Sequence, residues 1–260
     1  MAAGANGRFA TYPSLAGKVV FISGGGSGIG EGFVEHFCAQ GAKVAFCDIA
    51  EAPSRALVKR IARSTNSPPL FIPCDLRDIA QLRAAIGEAA KALGTITVLV
   101  NNAARDDRHE IDDVTPEYWD ERFAVNLKHQ FFAVQAVHHG MKKAGGGSII
   151  NMGSTSWMMG VPTMPAYVSA KAAVAGLTRG LARKLGPDKI RVNTVLPGWV
   201  MTERQKSLWL TPEGDRKIDE SQCLSQRLLP ADIARMVLFL AADDSEMCTN
   251  QTYIVDGGWL

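Results

Sequence analysis

The fold is decided near the amino terminus, by Lys18-Val-Val-Phe-Ile-Ser-Gly-Gly-Gly-Ser-Gly-Ile-Gly30. The first six of these residues form a short apolar run that predicts a buried strand, and a glycine-rich turn, residues 24–30, follows it directly. A helical pattern then ends before Gly41, and a second apolar run, Lys43 to Asp48, ends on an acid. This order of strand, glycine turn, helix, strand and acid is typical of a dinucleotide-binding βαβ unit, in which the glycines let the backbone approach a pyrophosphate.

Asp48 bears on the choice of cofactor. At this position a carboxylate is expected to hydrogen-bond the adenosine ribose and to repel a 2′-phosphate, which favours NAD over NADP. Neither Ile49 nor the glycine turn supplies the cation that a 2′-phosphate requires, although Arg55 lies nearby in the sequence. The alternative is that Asp48 only caps the following helix.

Apolar runs and helical patterns keep alternating to the carboxyl end. We therefore predict an α/β fold over residues 1–260: a single doubly wound, parallel, seven-stranded sheet of the Rossmann type, with helices on both faces and no second domain. Residues 1–14 are small and polar and are expected to be a loose arm. Residues 198–229 form an insertion rich in Trp, Met, Gln and Leu, which we interpret as a small substrate lid.

Composition excludes several classes of protein. The chain is 47% hydrophobic and 21% charged, so a large core is expected and disorder is not. The net charge of +2, with acids and bases scattered, argues against a nucleic-acid surface, and no apolar run is long enough for a membrane span. The five cysteines form no close pair in the sequence, which is typical of a reduced, cytoplasmic protein, and we expect no metal site.

Tyr167 and Lys171 lie four residues apart in a helical pattern that begins near Pro165, so their side chains share one face. A phenol beside an ammonium is suited to proton transfer, because a nearby cation lowers the pKa of the phenol. Taken alone, the pair also fits a surface helix on which a Tyr and a Lys occur by chance.

Taken together, the motifs resemble the short-chain dehydrogenase/reductase family along essentially the whole chain. The residues that carry this resemblance are the glycine turn after Ser23, Asn101-Asn-Ala-Ala104, Asn126, Ser154, Tyr167-x-x-x-Lys171, Pro197-Gly198 and Asp256-Gly-Gly258. Two departures are small: Ser23 stands where the family commonly has Thr, and Ala104 stands where it commonly has Gly.

The resemblance implies four catalytic roles. Ser154 would hydrogen-bond the reacting oxygen, Tyr167 would exchange its proton, and Lys171 would lower the tyrosine pKa and hold the nicotinamide ribose. Asn126 would anchor a proton-relay water. The alternatives are that Ser154 is a turn residue at a strand end and that Asn126 caps or kinks its helix.

The resemblance also implies a cofactor site for NAD. The backbone around Gly24, Gly28 and Gly30 would hold the pyrophosphate, Asp75 the adenine amine and Asn102 the adenosine side, while the segment after Pro197 would hold the carboxamide. The full predicted set is Gly24, Ser27, Gly28, Ile29, Gly30, Asp48, Asp75, Leu76, Asn102, Tyr167, Lys171, Pro197, Gly198, Val200 and Thr202.

Further short segments resemble bacterial aldose 1-dehydrogenases of this family, which oxidise sugars such as D-xylose or L-arabinose at C1. They are Tyr12-Pro-Ser-Leu15, Asp106-Asp-Arg-His109, Thr115–Glu121, Gly140–Lys143, Thr211–Gly214 and Gln222–Leu224. A sugar needs hydrogen-bonding groups and a flat apolar wall, so the predicted substrate residues are Arg105, Asp106, Ser156, Trp157, Trp199, Gln205 and Trp209. The alternative for residues 106–109 is a solvated charged loop.

Two rival functions remain open at this point. One is a dehydrogenase of the same family that acts on a polyol, a steroid or an acyl chain. The other is a non-catalytic NAD-binding protein on the same fold, which would be expected to lack Tyr167 or Lys171. The resemblance further implies a homotetramer, with contacts through residues 253–260 and the two long central helices.

Overall fold

The structure, a computed structural model, describes residues 8–65 and 67–260. Its centre is one parallel sheet in which the seven strands lie in the order β3-β2-β1-β4-β5-β6-β7. The strands are β1 (Val19–Ser23), β2 (Lys43–Asp48), β3 (Leu70–Pro73), β4 (Ile96–Asn101), β5 (Gly147–Met152), β6 (Ile190–Pro197) and β7 (Thr252–Val255). The predicted Rossmann-type architecture is confirmed.

Helices cover both faces of the sheet. Among the described residues they are α1 (Gly28–Ala39), α2 (Glu51–Ile61), α3 (Ile79–Leu93), α4 (Pro116–Phe123), α5 (His129–Lys143), α6 (Ser156–Met159), α7 (Pro165–Leu185), α8 (Glu203–Leu208), α9 (Pro212–Ser221) and α10 (Pro230–Ala241). Side chains alternate along each strand, so they point to opposite faces of the sheet. On one face they pack against α1 and α10 in one core layer, and on the other face against α3 and α5 in a second core layer. In β1, for example, Ile22 faces the first layer and Phe21 the second.

The strand order reverses between β1 and β4, so the crossovers on the two sides of this point run to opposite faces. A cleft opens there at the carboxyl ends of the strands, which is where open α/β sheets bind their ligands. The glycine turn after β1 and the loops after β4, β5 and β6 all meet at this cleft.

Three details differ from the sequence expectations. The helical pattern that opens at Thr115-Pro116 predicts one helix to about Ala144, and the structure interrupts it with a π-helical segment, Ala124–Lys128. The residues at the end of the expected loose arm are packed, since Tyr12 N–H donates to the Gln40 side chain at 2.8 Å and Pro13–Leu15 form a 3₁₀ turn. Residues 1–7 of that arm lie outside the described residues. The helical pattern after β2 predicts a helix around Ser54 to Ser64, and the helix in the structure begins three residues earlier, at Glu51.

Candidate active site

A single cleft of about 1550 Å³ brings most of the predicted site residues together. It extends from the end of β2, past the glycine turn, to the start of α7 and the insertion 198–229. Of the predicted residues, the following line it: Gly24, Ser27, Gly28, Ile29, Gly30, Asp48, Asp75, Leu76, Asn102, Arg105, Asp106, Ser154, Ser156, Tyr167, Lys171, Pro197, Gly198, Trp199, Val200, Thr202, Gln205 and Trp209.

The glycine turn needs its glycines for a steric reason. Gly24 and Gly28 have φ angles of +67° and +59°, in the left-handed region. A Cβ on Gly30 would lie 1.9 Å from the Gly24 carbonyl oxygen, so the first turn of α1 packs directly against the loop. The turn therefore leaves room for a ligand beside the backbone, at the amino end of a helix of 12 residues.

Asp48 stands at the far end of the cleft. One carboxylate oxygen accepts the Gly26 N–H at 2.9 Å, and the other accepts the Ala50 N–H at 2.9 Å. The carboxylate therefore holds the glycine turn against the loop before α2. It does not cap that helix, because the N-cap of α2 is Ala50 and has no side-chain hydrogen bond. Arg55 pairs with Glu51 at 2.8 Å and does not line the cleft.

Two further predicted cofactor residues are held by neighbours. The Asp75 carboxylate is paired with Arg77 at 2.6 Å, and hydrogen bonds from Arg77 lower the pKa of Asp75. The Asn102 side chain donates to the Gly24 carbonyl at 2.8 Å and to the Ser23 carbonyl at 3.1 Å. Asn102 thus ties the loop after β4 to the glycine turn.

Lys171 is 1% exposed, and its ammonium donates to the Met152 carbonyl at 2.8 Å. The same nitrogen lies 5.7 Å from the centre of the Tyr167 ring. The surface-helix alternative for this pair is therefore wrong, since α7 turns both side chains into the cleft. Met152 is the last residue of β5, so the strand end determines where the ammonium lies.

The structure does not show the expected lowering of the Tyr167 pKa by Lys171. Burial raises the pKa of Tyr167, and the Asp106 carboxylate raises it further, while the Ser154 hydroxyl acts in the opposite direction. Burial also lowers the pKa of Lys171 to about 7, against a smaller opposing effect of Asp106. Loss of hydration on burial is therefore the largest effect on the pKa of both groups.

Ser154 follows β5 and accepts the Ser156 N–H at 3.2 Å. Its hydroxyl thus serves the local turn, as one alternative proposed, and also lines the cleft beside Tyr167. Ser156, the first residue of α6, is 4% exposed.

Asn126 lies under the cleft and does not line it. It sits in the π-helical segment, where its side chain donates to the Arg122 carbonyl at 2.9 Å and to the Arg105 carbonyl at 3.1 Å. Its side-chain oxygen accepts the Arg105 N–H at 2.9 Å. The helix-kinking alternative therefore describes its contacts, and these contacts also fix the loop after β4.

The loop after β4 and the insertion are joined by hydrogen bonds across the mouth of the cleft. The Gln205 side chain donates to Asp106 at 2.7 Å and accepts the indole N–H of Trp199 at 3.0 Å. The neighbouring Arg204 pairs with Asp107 at 2.7 Å. The solvated-loop alternative is wrong for Asp106, whose side chain is only 17% exposed.

Arg108 belongs to this wall, although it was not among the predicted substrate residues. Its guanidinium stacks on the Trp209 ring with 4.6 Å to the centroid and pairs with Asp106 at 3.3 Å. Its place within the charged motif 106–109 was the available signal. Met164, Trp259 and Leu260 also line the cleft, and no pattern in the sequence marked them.

One predicted substrate residue is misplaced. Trp157 does not line the cleft. It follows Ser156 in a short helix, where successive side chains point about 100° apart. The prediction treated the two as one segment, and the helical turn separates them.

Within residues 8–65 and 67–260, no group of three or more His, Cys, Asp or Glu side chains is arranged to hold a metal ion. Over the same part of the chain, no helix is both long and apolar enough to cross a membrane.

Comparisons with known proteins agree with this geometry. The sequence profile of the family described as enoyl-(acyl carrier protein) reductase, within the short-chain dehydrogenases/reductases, matches residues 24–260. The chain is 52% identical to a D-xylose 1-dehydrogenase of Caulobacter vibrioides, over 96% of this chain and 98% of the relative. It is 51% identical to a probable galactose dehydrogenase of Rhizobium meliloti, over 95% of this chain and 96% of the relative.

A solved structure has the same fold with a nicotinamide cofactor bound. It is a blue fluorescent protein from a metagenomic library in complex with NADPH, 33% identical, with a TM-score of 0.87 over 95% of this chain and 99% of the other. Three observations lead to one conclusion. The parallel sheet carries a glycine turn at its switch point, a Tyr-Lys pair is buried beside it, and relatives of more than 50% identity match nearly the whole length. The chain is an oxidoreductase that belongs to the short-chain dehydrogenase/reductase family.

Proposed function

We propose that this protein oxidises a free aldose at C1 to the lactone, with NAD as the hydride acceptor and Tyr167 as the base. One observation carries the proposal: the Tyr167-Lys171 pair and a polar and aromatic wall formed by Asp106, Gln205 and Trp199 share one cleft. The sugar dehydrogenases that the chain resembles at 51–52% identity give the substrate class independent support.

The cleft fits a dinucleotide. Its glycine turn passes close to the first turn of α1, where a Cβ at Gly30 would collide with backbone, so the amides stay open to a pyrophosphate. Asp48 and Asp75 line the cleft and are assigned to the adenosine end, and Pro197, Val200 and Thr202 are assigned to the nicotinamide end. When bound, the nicotinamide ring supplies the acceptor for the hydride that leaves C1.

NAD is proposed over NADP because of charge. The Asp48 carboxylate, held by hydrogen bonds from the Gly26 and Ala50 N–H groups, is assigned to the adenosine ribose, where it would repel a 2′-phosphate. Arg55 is paired with Glu51 outside the cleft, so it provides no compensating cation in this arrangement.

The residues of the chain handle the proton. The anomeric hydroxyl of the cyclic sugar would accept a hydrogen bond from Ser154 and give its proton to the Tyr167 phenolate. Lys171, held by the Met152 carbonyl, supplies the positive charge that stabilises the phenolate once the cleft is filled. Since C1 also bears the ring oxygen, loss of the proton and the hydride yields the lactone directly.

Sugar recognition is assigned to the wall above Tyr167. Asp106 and Gln205 offer an acceptor and an amide for hydroxyl groups, and Trp199 and Trp209 offer flat surfaces for the C–H face of the ring. Arg105, Arg108 and Ser156 complete this wall. Asn126 is assigned an indirect role, because it fixes the backbone of Arg105 and stands beneath the cleft.

The experiment is a spectrophotometric panel. NAD is supplied with D-xylose, L-arabinose, D-galactose, an acyclic polyol and a hydroxysteroid, and both NADH and lactone are followed. We expect turnover with at least one aldose and formation of lactone. Turnover of only the polyol or the steroid would overturn the sugar assignment, and so would an absence of turnover with all three aldoses.

We also propose a homotetramer located in the cytoplasm. Large apolar side chains on α4, α5 and the carboxyl-terminal segment are left exposed in one copy of the chain: Trp119 at 40%, Phe131 at 42%, Ile254 at 41% and Leu260 at 52%. Light scattering coupled to gel filtration tests the assembly, and a monomer at micromolar concentration would contradict it.

A further inference from the structure

His109 joins two of the short segments that resemble aldose 1-dehydrogenases. It is the last residue of Asp106-Asp-Arg-His109, and its neighbour in space, Tyr118, belongs to Thr115–Glu121 on α4. The two rings pack edge to face with 5.1 Å between their centroids, and the His109 Nδ1 lies 3.0 Å from the Tyr118 hydroxyl. Neither side chain lines the cleft, so any effect of this pair on the reaction passes through other residues.

On its other side, His109 contacts the start of α7. Its backbone N–H donates to the Thr163 carbonyl at 2.9 Å, and its ring Nε2 accepts the Ala166 N–H at 3.5 Å, a long hydrogen bond. The preceding residue, Arg108, donates to the Met164 sulfur at 2.9 Å. The loop after β4 therefore holds the start of α7 at three points.

The first turn of α7 needs an acceptor from outside the helix, because the first N–H groups of a helix have no partner within it. Pro165 has no N–H, and the N-cap residue, Met164, provides no side-chain hydrogen bond. Ala166 is fully buried, so water does not satisfy its N–H. The His109 ring stands where the missing cap would be.

The contacts of both ring nitrogens require the same tautomer of His109. A backbone N–H can only donate, so Nε2 must present its lone pair to Ala166. Nδ1 lies 3.3 Å from the Asp107 carbonyl, which can only accept, so Nδ1 must carry the proton. The same Nδ1–H points to the Tyr118 oxygen, which can accept as well. His109 is therefore a neutral imidazole with its proton on Nδ1.

We propose that His109 is a positioning residue for Tyr167: its imidazole caps the first turn of α7 from the loop after β4, and Tyr118 holds the ring in that orientation. Tyr167 follows Ala166 in the chain, so the direction of its side chain depends on this first turn. The effect on catalysis rests on the role given to Tyr167 under the proposed function. The cap and the tautomer do not depend on that role.

The first test is spectroscopic and needs no turnover. The full-length chain is labelled with ¹⁵N in histidine, and the ring resonances of His109 are identified as those lost in His109→Gln. At about pH 8, above the range in which imidazole groups commonly titrate, we expect a protonated Nδ1 and an unprotonated Nε2. A proton on Nε2 would overturn the proposal, because that nitrogen could not accept the Ala166 N–H.

The second test compares two amide substitutions by steady-state kinetics. Glutamine extends as far from Cβ as the imidazole Nε2, so its oxygen can accept the Ala166 N–H, whereas asparagine extends only as far as Nδ1. His109→Asn and His109→Ala should lower kcat about tenfold, and His109→Gln should retain it within about threefold. The KM for the sugar and the NAD dissociation constant should change less than threefold or so. Glu110→Gln, at the exposed next residue, is the matched control and should behave like the parent.

A double-mutant cycle tests the part assigned to Tyr118. Tyr118→Phe removes the oxygen that accepts the Nδ1–H and should lower kcat in the parent, but it should have little further effect in His109→Ala. Losses that multiply independently would show that Tyr118 does not act through the His109 ring, which would overturn its assignment.

Two kinetic results would contradict the positioning role. One is an equal kcat in His109→Gln and His109→Asn, since the reach of the amide oxygen would then not matter. The other is a loss of NAD affinity as large as the loss of kcat, which would indicate a general disturbance of the cleft. A parent protein that turns over no sugar would instead refute the proposed function, while the resonances of the His109 ring would still decide the cap.

Discussion

The Lys171 ammonium lies 5.7 Å from the centroid of the Tyr167 ring and donates a hydrogen bond to the Met152 carbonyl at 2.8 Å. The two side chains extend from one face of α7, and the end of β5 holds the lysine in place. Because the lysine is anchored by the strand, the tyrosine can change its protonation state without losing the position of its partner. This relationship sets the first two predictions.

Tyr167→Phe should abolish turnover and leave NAD binding nearly intact. The phenol acts on the substrate proton, and its removal should lower kcat by about 10³-fold or more. Steady-state kinetics and a fluorescence titration with NAD measure the two quantities separately. Tyr253→Phe on β7, outside the cleft, is the control and should behave like the parent. A Tyr167→Phe protein with near-normal kcat would refute the catalytic assignment.

Lys171→Met should change how stability depends on pH. The pKa of Lys171 in the folded chain is lowered to about 7, so the folded state binds fewer protons than the unfolded state between about pH 7 and the unperturbed lysine value. The cost of burying the charge is therefore full below pH 7 and diminishes as pH rises above it. The stability gained by the variant over the parent should therefore be about 3 kcal/mol larger at pH 6.5 than at pH 9.5.

Urea unfolding without cofactor at these two pH values measures the difference. Loss of the hydrogen bond to Met152 is common to both conditions and cancels in the comparison. Both values lie below the pH at which Tyr167 ionises, because burial raises the pKa of that phenol. If the difference in free energy of unfolding between variant and parent did not depend on pH, burial of the Lys171 charge would not destabilise the folded state.

Asp48→Asn should relax the preference for NAD. Asparagine keeps an oxygen that accepts the Gly26 or Ala50 N–H, and removes the charge that repels a 2′-phosphate. The ratio of kcat/KM for NADP to that for NAD should rise about tenfold or more, which corresponds to about 1.4 kcal/mol. Asp48→Ala, which also removes the acceptor, should weaken binding of both cofactors. If this ratio of kcat/KM values were unchanged in Asp48→Asn, the carboxylate would have only a structural role.

Asp106→Asn should impair the sugar and spare the cofactor. The carboxylate lies at the cleft mouth on Gln205, at 2.7 Å, and is assigned to a sugar hydroxyl. We expect the KM for the sugar to rise about tenfold, with the NAD dissociation constant within about threefold of the parent. Asp112→Asn, an exposed residue later on the same loop, is the control. Equal effects on sugar and NAD would indicate a general disturbance of the cleft.

Gly30→Ala should eliminate NAD binding and destabilise the fold. Its Cβ would lie 1.9 Å from the Gly24 carbonyl, so the glycine turn must move away from α1, at a cost of about 1–3 kcal/mol. Gly87→Ala, where a Cβ meets open space on α3, should instead add about 0.5–1 kcal/mol through helix propensity. Thermal unfolding and NAD titration distinguish the two, and a Gly30→Ala protein that binds NAD normally would contradict the close packing.

The sequence alone determined the sheet and the main site residues, because they depend on local patterns. Apolar runs, the glycine turn and the Tyr167-Lys171 spacing each act over a few residues, and the carboxyl ends of parallel strands must meet at one edge. For the same reason the start of α7 at Pro165 could be predicted well.

Contacts between distant segments were decided only by the tertiary structure. Hydrogen bonds join Gln205 to Asp106 and Arg105 to Asn126. These residues are far apart in the sequence, and no periodic pattern predicts that they meet. Trp157 leaves the cleft because α6 turns it away. The raised pKa of Tyr167 and the lowered pKa of Lys171 come from burial, which depends on everything packed around the cleft. Such properties belong to the assembled fold, because they are set by distance and hydration in space and not by order along the chain.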